Sequence, residues 1–94
     1  MNKIYGRLIW TKAKSPSIDD IIEKTMKYAR ENKPVALEHK LWIETLQSCP
    51  GFMGFRIEKT KAEVEPSNGT IFNEYKMVAM FDTMENTVMA KLTL

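Results

Sequence analysis

Cysteine and histidine each occur once in this chain, and their scarcity excludes several kinds of site. Cys49 cannot form an intrachain disulfide, and one cysteine with one histidine, His39, cannot supply a zinc site without several carboxylates. The four glycines form no Gly-rich loop for phosphate. No apolar run approaches the roughly 20 residues of a membrane span, and the N-terminus lacks the apolar stretch of a signal peptide. We therefore expect a cytoplasmic protein with no metal, no cofactor and no membrane partner.

The 94 residues predict a single domain, 1–94, with 44% hydrophobic and 28% charged residues, as in ordinary globular proteins. The net charge of +2 is unevenly placed. Residues 1–33 hold eight Lys/Arg against four Asp/Glu, and residues 34–94 hold six against eight. The N-terminal third could therefore face an anionic partner, although a solvated polar surface has the same composition.

A long β-hairpin, Gly51 to Asp82, is the strongest local signal, with its turn at Pro66-Ser67-Asn68-Gly69. A two-residue turn would place like charges opposite each other, Lys61 against Lys76 and Glu63 against Glu74. We therefore predict a three-residue loop with Gly69 in the left-handed conformation. This register pairs Phe55 with Phe81, Ile57 with Ala79, Arg56 with Met80, and Val64 with Phe72.

Alternation along the hairpin sorts its side chains onto two faces. One face is a core face, carrying Phe55, Ile57, Tyr75, Met77, Ala79 and Phe81. The other mixes large apolar and charged residues, namely Phe52, Arg56, Glu58, Phe72, Lys76, Val78 and Met80.

The remaining segments read as one strand, two helices and an ambiguous C-terminus. Lys3 to Ala13 alternates as a strand, with Ile4, Leu8 and Trp10 on one face and Tyr5, Arg7 and Ile9 on the other. Ser17 is the expected N-cap of a helix that runs to about Glu31 with Ile18, Ile21, Ile22, Met26 and Ala29 buried. A second helix, Val35 to Ser48, is expected to bury Leu37, Leu41, Trp42 and Leu46, with Ile43 pointing elsewhere and His39 exposed.

The C-terminal residues Thr87 to Leu94 alternate as a strand, and a short helix from Met84 to Ala90 is the competing interpretation. With the strand, the order is β-α-α-β-β-β. This predicts an α+β fold with a largely antiparallel four-stranded sheet and two helices on one face. The opposite face would expose a patch that monomers seldom leave in water. We take it as the binding surface, formed by Tyr5, Arg7, Phe52, Arg56, Phe72, Lys76, Val78 and Met80.

The stretch Pro50-Gly51-Phe52-Met53-Gly54-Phe55-Arg56 follows a predicted helix and opens a strand. It resembles the Pro-Gly-Phe-x-Gly-Phe stretch of the dimeric α+β-barrel superfamily, the antibiotic-biosynthesis-monooxygenase-like group, and Glu74 to Phe81 falls where the next strand of that family would lie. The resemblance covers about one third of the chain. It implies a ferredoxin-like variant and a homodimer that pairs sheet against sheet. In some members it also implies cofactor-independent oxygenation or isomerisation.

Three functions follow as hypotheses, and none comes with an identifiable catalytic residue. The first is a small non-enzymatic protein that forms a homodimer through its sheet and acts as an inhibitor or regulator by occupying a macromolecular partner. Arg, Tyr, Phe and Met are enriched in such interfaces. The second is an RNA-binding module that stacks bases on the aromatic and cationic face. The third, implied by the resemblance, is a cofactor-independent oxygenase or isomerase with a pocket near Trp10, Trp42 and His39.

Overall fold

The computed structural model describes residues 2–64 and 66–94. The elements are β1 (Lys3–Lys12), α1 (Ile18–Arg30), α2 (Pro34–Gln47), β2 (Phe52–Val64), β3 (Ile71–Phe81) and α3 (Met84–Leu92). The three strands form one antiparallel sheet in the order β1-β3-β2. The α+β class and the antiparallel sheet are therefore confirmed.

The C-terminal segment is a helix, so the predicted fourth strand is wrong and the competing helix is confirmed. Thr83 caps α3, because its hydroxyl accepts a hydrogen bond from the Asn86 N–H at 3.1 Å. Thr87 and Ala90, three residues apart, face the core and are buried. The described residues form three strands and three helices, in place of the four-stranded sheet with two helices.

The central strand of the sheet is β3, and both neighbours run antiparallel to it. β1 and β2 are therefore parallel to each other and are joined through α1 and α2, which is a split β-α-β arrangement. The predicted order, with a fourth strand and a ferredoxin-like pattern, is not reproduced. β1 and β2 each keep one edge without a partner strand among the described residues.

Neither register considered for the hairpin is correct, because β2 departs twice from a regular ladder. Irregularities fall between Phe52 and Gly54 and between Lys59 and Lys61. Each inserts one extra residue into β2, as β-bulges do. The observed partners include Phe55 with Ala79, Ile57 with Met77, Glu58 with Lys76 and Lys61 with Glu74.

These observed pairs set opposite charges across the strands at two positions. The expectation that like charges do not face each other is therefore confirmed, although the uninterrupted ladder is wrong. The turn does keep the predicted left-handed glycine, with Gly69 at φ +72°. The side chain of Asn68 supports the turn by accepting a hydrogen bond from the Thr70 N–H at 2.8 Å.

A third irregularity lies in β1. Tyr5 is opposite Val78 and Ile9 is opposite Lys76, so residues 6–8 share a single opposing position on β3. The strand bows away from its neighbour there. Gly6 lies on the inner side of the bow, where an added Cβ would meet the Met77 carbonyl oxygen at 3.3 Å and the Trp42 ring at 3.5 Å.

α1 follows the prediction closely. The Ser17 hydroxyl accepts a hydrogen bond from the Asp20 N–H at 3.5 Å, and Ile21, Thr25 and Ala29 are buried. α2 is rotated from its predicted orientation. His39, Ile43 and Leu46 are its buried residues, while Leu41 is 67% exposed and Leu37 is also exposed.

The core lies between the helices and one face of the sheet. In one cluster Leu46 of α2 and Ala90 of α3 pack on strand residues, with Ile4, Ala79 and Phe81. In the other, Ile21 of α1 and Ile43 of α2 pack against Met77, with Trp10, Trp42, Phe55 and Ile57 around them. The three helices of the described residues therefore cover the predicted core face, and none of them lies on the second face.

Candidate binding surfaces and clefts

The face of the sheet without helices, called here the open face, carries the even-numbered residues of β3 and their neighbours on β1 and β2. Three large apolar side chains stay accessible on it: Tyr5 at 41%, Ile9 at 50% and Phe72 at 38%. Arg56, Glu58 and Lys76 lie among them. The open face therefore combines aromatic, aliphatic and charged groups, as predicted.

A charged network centred on Glu58 crosses the open face. Its carboxylate accepts contacts from Lys3 Nζ at 2.8 Å, Arg56 Nη2 at 3.4 Å and the Tyr5 hydroxyl at 3.3 Å. The hydrogen bond from Lys3, followed by the Lys3 charge and the bonds from Arg56 and Tyr5, holds the pKa of Glu58 below its usual value, although burial acts in the opposite direction. The network joins β1 to β2 across the central strand.

Val78 lies beneath this network and is fully buried. It is opposite Tyr5 on one side and Arg56 on the other, so side chains from both neighbours close over it. The expectation that Val78 forms part of an exposed surface is therefore wrong. Lys76 and Met80, its neighbours on the same face, are half-buried.

Phe52 lies on the helix-covered face, so its assignment to the open face was wrong. Its ring centroid is 4.8 Å from that of Phe55 and 5.9 Å from that of Phe81. The irregularity between Phe52 and Gly54 explains the change, because the extra residue shifts the alternation of the strand. Met53 takes the exposed position at this end of β2.

Arg7 lies at the free edge of β1. Its largely exposed guanidinium reaches Glu38 of α2 at 3.5 Å, on the helix side of the sheet. Of the predicted binding residues, Tyr5, Arg56 and Val78 share one row of the open face, and Phe72, Lys76 and Met80 extend along β3. Arg7 and Phe52 are not brought into this group.

A cleft of about 450 Å³, called here the His39 cleft, opens at the β1 edge. Leu8 of β1, several residues of α2 and the C-terminal Thr93 and Leu94 surround it. Its wall is mainly apolar, with the side chains of Leu8, Val35, Leu41, Trp42 and Leu94. Mostly apolar clefts with a few polar groups are the usual form of small-molecule sites.

His39 forms part of that wall and is only 5% exposed. Its ring stacks on Trp42 with centroids 5.6 Å apart, and meets Trp10 edge-on at 5.9 Å. Burial lowers the pKa of His39 below the usual 6.5, and its Nε2 atom has no hydrogen-bond partner among the described residues. Burial therefore favours the neutral form of the imidazole.

The expectation that His39 is exposed was wrong, and a sequence signal for its burial did exist. His39, Ile43 and Leu46 have the i, i+4, i+7 spacing of one helical face. A buried face formed by Leu37 and Leu41 would instead place the histidine in solvent.

A second cleft of about 320 Å³, called here the lysine cleft, lies between β1, α1 and the start of α2. Lys12, Lys24 and Lys33 border it, together with the single acidic residue Asp20. Leu8 and Val35 separate it from the His39 cleft, because both residues line both spaces.

Within residues 2–64 and 66–94, no group of three or more His, Cys, Asp or Glu side chains is arranged to hold a metal ion. None of the helices in this part of the chain is long and apolar enough to cross a membrane. No protein-family model matches the chain, and comparison with curated proteins and with solved structures gives no significant match. The resemblance to the dimeric α+β-barrel superfamily stays a prediction.

Proposed function

We propose that this chain is a small cytoplasmic binding protein. It self-associates through the open face and acts as an inhibitor or regulator by occupying a macromolecular partner. The observation that carries the proposal is the exposure of Tyr5, Ile9 and Phe72 on a face that no helix of the described part of the chain covers. Burying apolar surface stabilises association by about 25 cal/mol per Å².

The charges of the open face suit contact with a second copy. Lys3, Arg56 and Lys76 are balanced in part by Glu58 and Glu74, so two copies would not repel each other strongly. Because Glu58 already holds Lys3 and Arg56, bringing two faces together would leave fewer charges buried without a partner. Two sheets would pack about 10 Å apart, as in sandwich folds.

We assign the macromolecular partner to the outer side of α3, which faces away from the open face. This helix exposes an apolar ridge made of Met84, Val88, Met89 and Leu92. Methionine adapts its shape to different partners. A helix with apolar residues at i, i+4 and i+8 can lie in a groove of another protein. The dimer contact and the partner contact would therefore use opposite sides of the chain.

Sedimentation velocity at micromolar concentration tests the dimer. We expect the wild-type chain to sediment at twice the monomer mass, and Ile9→Glu or Phe72→Glu to sediment as monomers, because a carboxylate would be buried in the contact. Leu41→Glu is the matched control, since Leu41 is 67% exposed on α2, away from the open face. A monomeric wild-type chain, or a control that dissociates equally, would contradict the assignment.

A capture experiment separates the partner surface from the dimer surface. We expect Val88→Glu to remain dimeric and to lose proteins that the wild-type chain retains from native extract. Leu41→Glu should keep both properties. If Val88→Glu retains the same proteins, α3 is not the partner surface.

Binding of RNA to the open face is less favoured by this geometry. Glu58 places a carboxylate among the cations that would contact phosphates and occupies the Tyr5 hydroxyl. Titration of a labelled single-stranded RNA, repeated at several salt concentrations, is the test. A steep salt dependence that Arg56→Gln reduces would favour the RNA module instead.

A cofactor-independent oxygenase or isomerase is the second candidate, and the His39 cleft favours it. The cleft borders Trp42 and His39, where the family resemblance places its pocket. A neutral imidazole with an unpartnered nitrogen could accept a proton from a bound substrate. An oxygen electrode with a naphthohydroquinone probe tests this activity. Consumption above the uncatalysed rate that His39→Phe removes would support it, and a rate equal to that without protein would exclude this substrate class.

A further inference from the structure

The lysine cleft has a strongly cationic border for its size. Lys12 of β1, Lys24 of α1 and Lys33 before α2 line it against one acid, Asp20, giving a net charge of +2. No ion pair joins any of these lysines to a carboxylate within residues 2–64 and 66–94. Lysines from three separate parts of the chain therefore line one space.

A threonine side chain also lines this cleft. Thr25 lies on the inner side of α1, and its hydroxyl makes no hydrogen bond in the described part of the chain. The hydroxyl is therefore available to donate a hydrogen bond to an acceptor atom in the cleft. Thr25 lies one helical turn from both Ile21 and Tyr28, which line the same cleft.

The start of α2 adds to the positive potential. Lys33 occupies its N-cap position without a capping side-chain bond, and the first turn holds no acidic residue. Val35 and Ala36 both border the cleft. Because they lie in the first turn of α2, their N–H groups have no acceptor within the helix. The positive end of the helix dipole therefore reinforces the lysines.

The rest of the wall is apolar. Trp10 and Ile21 lie in it, together with Leu8 and Pro16. We propose that the lysine cleft binds a small organic phosphate. The phosphate would be held by Lys12, Lys24 and Lys33, with the Thr25 hydroxyl as an additional donor. The apolar body of the ligand would pack on the wall near Trp10. This site is separate from both surfaces assigned to protein association.

Phenyl phosphate is the probe that tests this site, measured by calorimetry and by tryptophan fluorescence on the full chain. We expect saturable binding that is tighter than binding of inorganic phosphate, because only the aryl ester uses the apolar wall. Lys12→Gln and Lys33→Gln should each weaken it by about tenfold, as loss of a charge-assisted hydrogen bond does. Thr25→Val, which keeps the side-chain shape, should weaken it severalfold.

Lys91→Gln provides the matched control, since it also removes one positive charge but at an exposed position of α3, and it leaves the cleft intact. Binding should be unchanged in that variant. Equal weakening by Lys91→Gln would mean that net charge alone attracts the anion, and would overturn the proposal. So would the absence of saturable binding at millimolar probe, or inorganic phosphate binding as tightly as phenyl phosphate. The two lysine variants change exposed residues, so they stay informative if Thr25→Val fails to fold.

Discussion

Mild acid is predicted to destabilise this chain through His39, its only histidine. Burial lowers the pKa of the folded imidazole below the 6.5 of an accessible one. As the pH falls through 6.5, the imidazole of the unfolded chain binds a proton while that of the folded chain stays unprotonated, so the equilibrium moves toward the unfolded state. The stabilisation that neutral His39 contributes is therefore complete above pH 6.5, the unfolded pKa, and decreases as the pH falls toward the folded pKa.

The size of the effect is limited by the titration of the unfolded side chain. With an unfolded pKa of 6.5, the free energy of unfolding falls by at most about 1.3 kcal/mol between pH 7 and pH 5.5. The limiting slope is about 1.4 kcal/mol per pH unit. Carboxylates with ordinary pKa values of about 4 contribute little in this window, so the change reports mainly on His39.

Urea denaturation followed by tryptophan fluorescence at pH 7 and about pH 5.5 is the assay. His39→Phe keeps an aromatic ring between Trp10 and Trp42 but cannot titrate, so its stability should be nearly equal at the two pH values. Ile43→Val is the control, because a lost core methyl group should reduce stability by about 1 kcal/mol at both.

Two outcomes would refute this reasoning. A wild-type chain that gains stability in acid would mean that cation–π attraction from Trp10 and Trp42 outweighs desolvation of the imidazolium. A His39→Phe variant that keeps the full acid loss would assign the effect to another group.

Three further predictions concern the core, the hairpin entry and the open face. Leu46→Ala should lower the free energy of unfolding by about 2–5 kcal/mol, whereas Leu41→Ala should change it by less than about 0.5 kcal/mol. Similar urea midpoints for the two variants would mean that α2 is oriented differently. Gly51→Ala should destabilise by more than about 1 kcal/mol, because Gly51 has φ +79° and its new Cβ would collide with the Asp82 carboxylate; an unchanged melting temperature would contradict this. The lowered pKa of Glu58 means that its network stabilises the folded chain above the unfolded pKa and that this stabilisation is lost as the pH falls. Glu58→Gln should therefore reduce the loss of stability below about pH 4.5. Parallel acid-denaturation curves for the variant and the wild-type chain would count against the network.

Local signals in the sequence predicted the bounds of the first strand and of α1 well. The Ser17 cap and the spacing of Ile21 and Ala29 fix a helix without reference to the rest of the chain. The C-terminus was harder, since Val88, Ala90 and Leu92 fit an alternating pattern as well as a helix over so few residues. The Thr83 cap is the signal that favours the helix.

Tertiary packing decided the features that the sequence did not predict. The face that α2 buries depends on what it meets, and contact with Trp10 and Met77 selects His39 and Ile43 over Leu41. Bulges in β2 likewise cannot be read from alternation.

Because tertiary packing and bulges are not visible in the sequence, the candidate surface was predicted only in part. Tyr5 and Arg56 do share the open face. Phe52 was misplaced because the bulge shifts the alternation. Val78 does lie on the open face, but it is buried because long polar side chains from two neighbouring strands close over it, which a pattern of single residues does not reveal.

The bow in β1 between Tyr5 and Ile9 has a consequence for assembly. A strand lying beside this edge would find its row of N–H and C=O groups interrupted at residues 6–8, so it could not pair along the whole length. Growth of the sheet into fibrils by adding copy after copy at this edge is thereby hindered. The proposed dimer would use contacts between faces instead, which close once two copies have met.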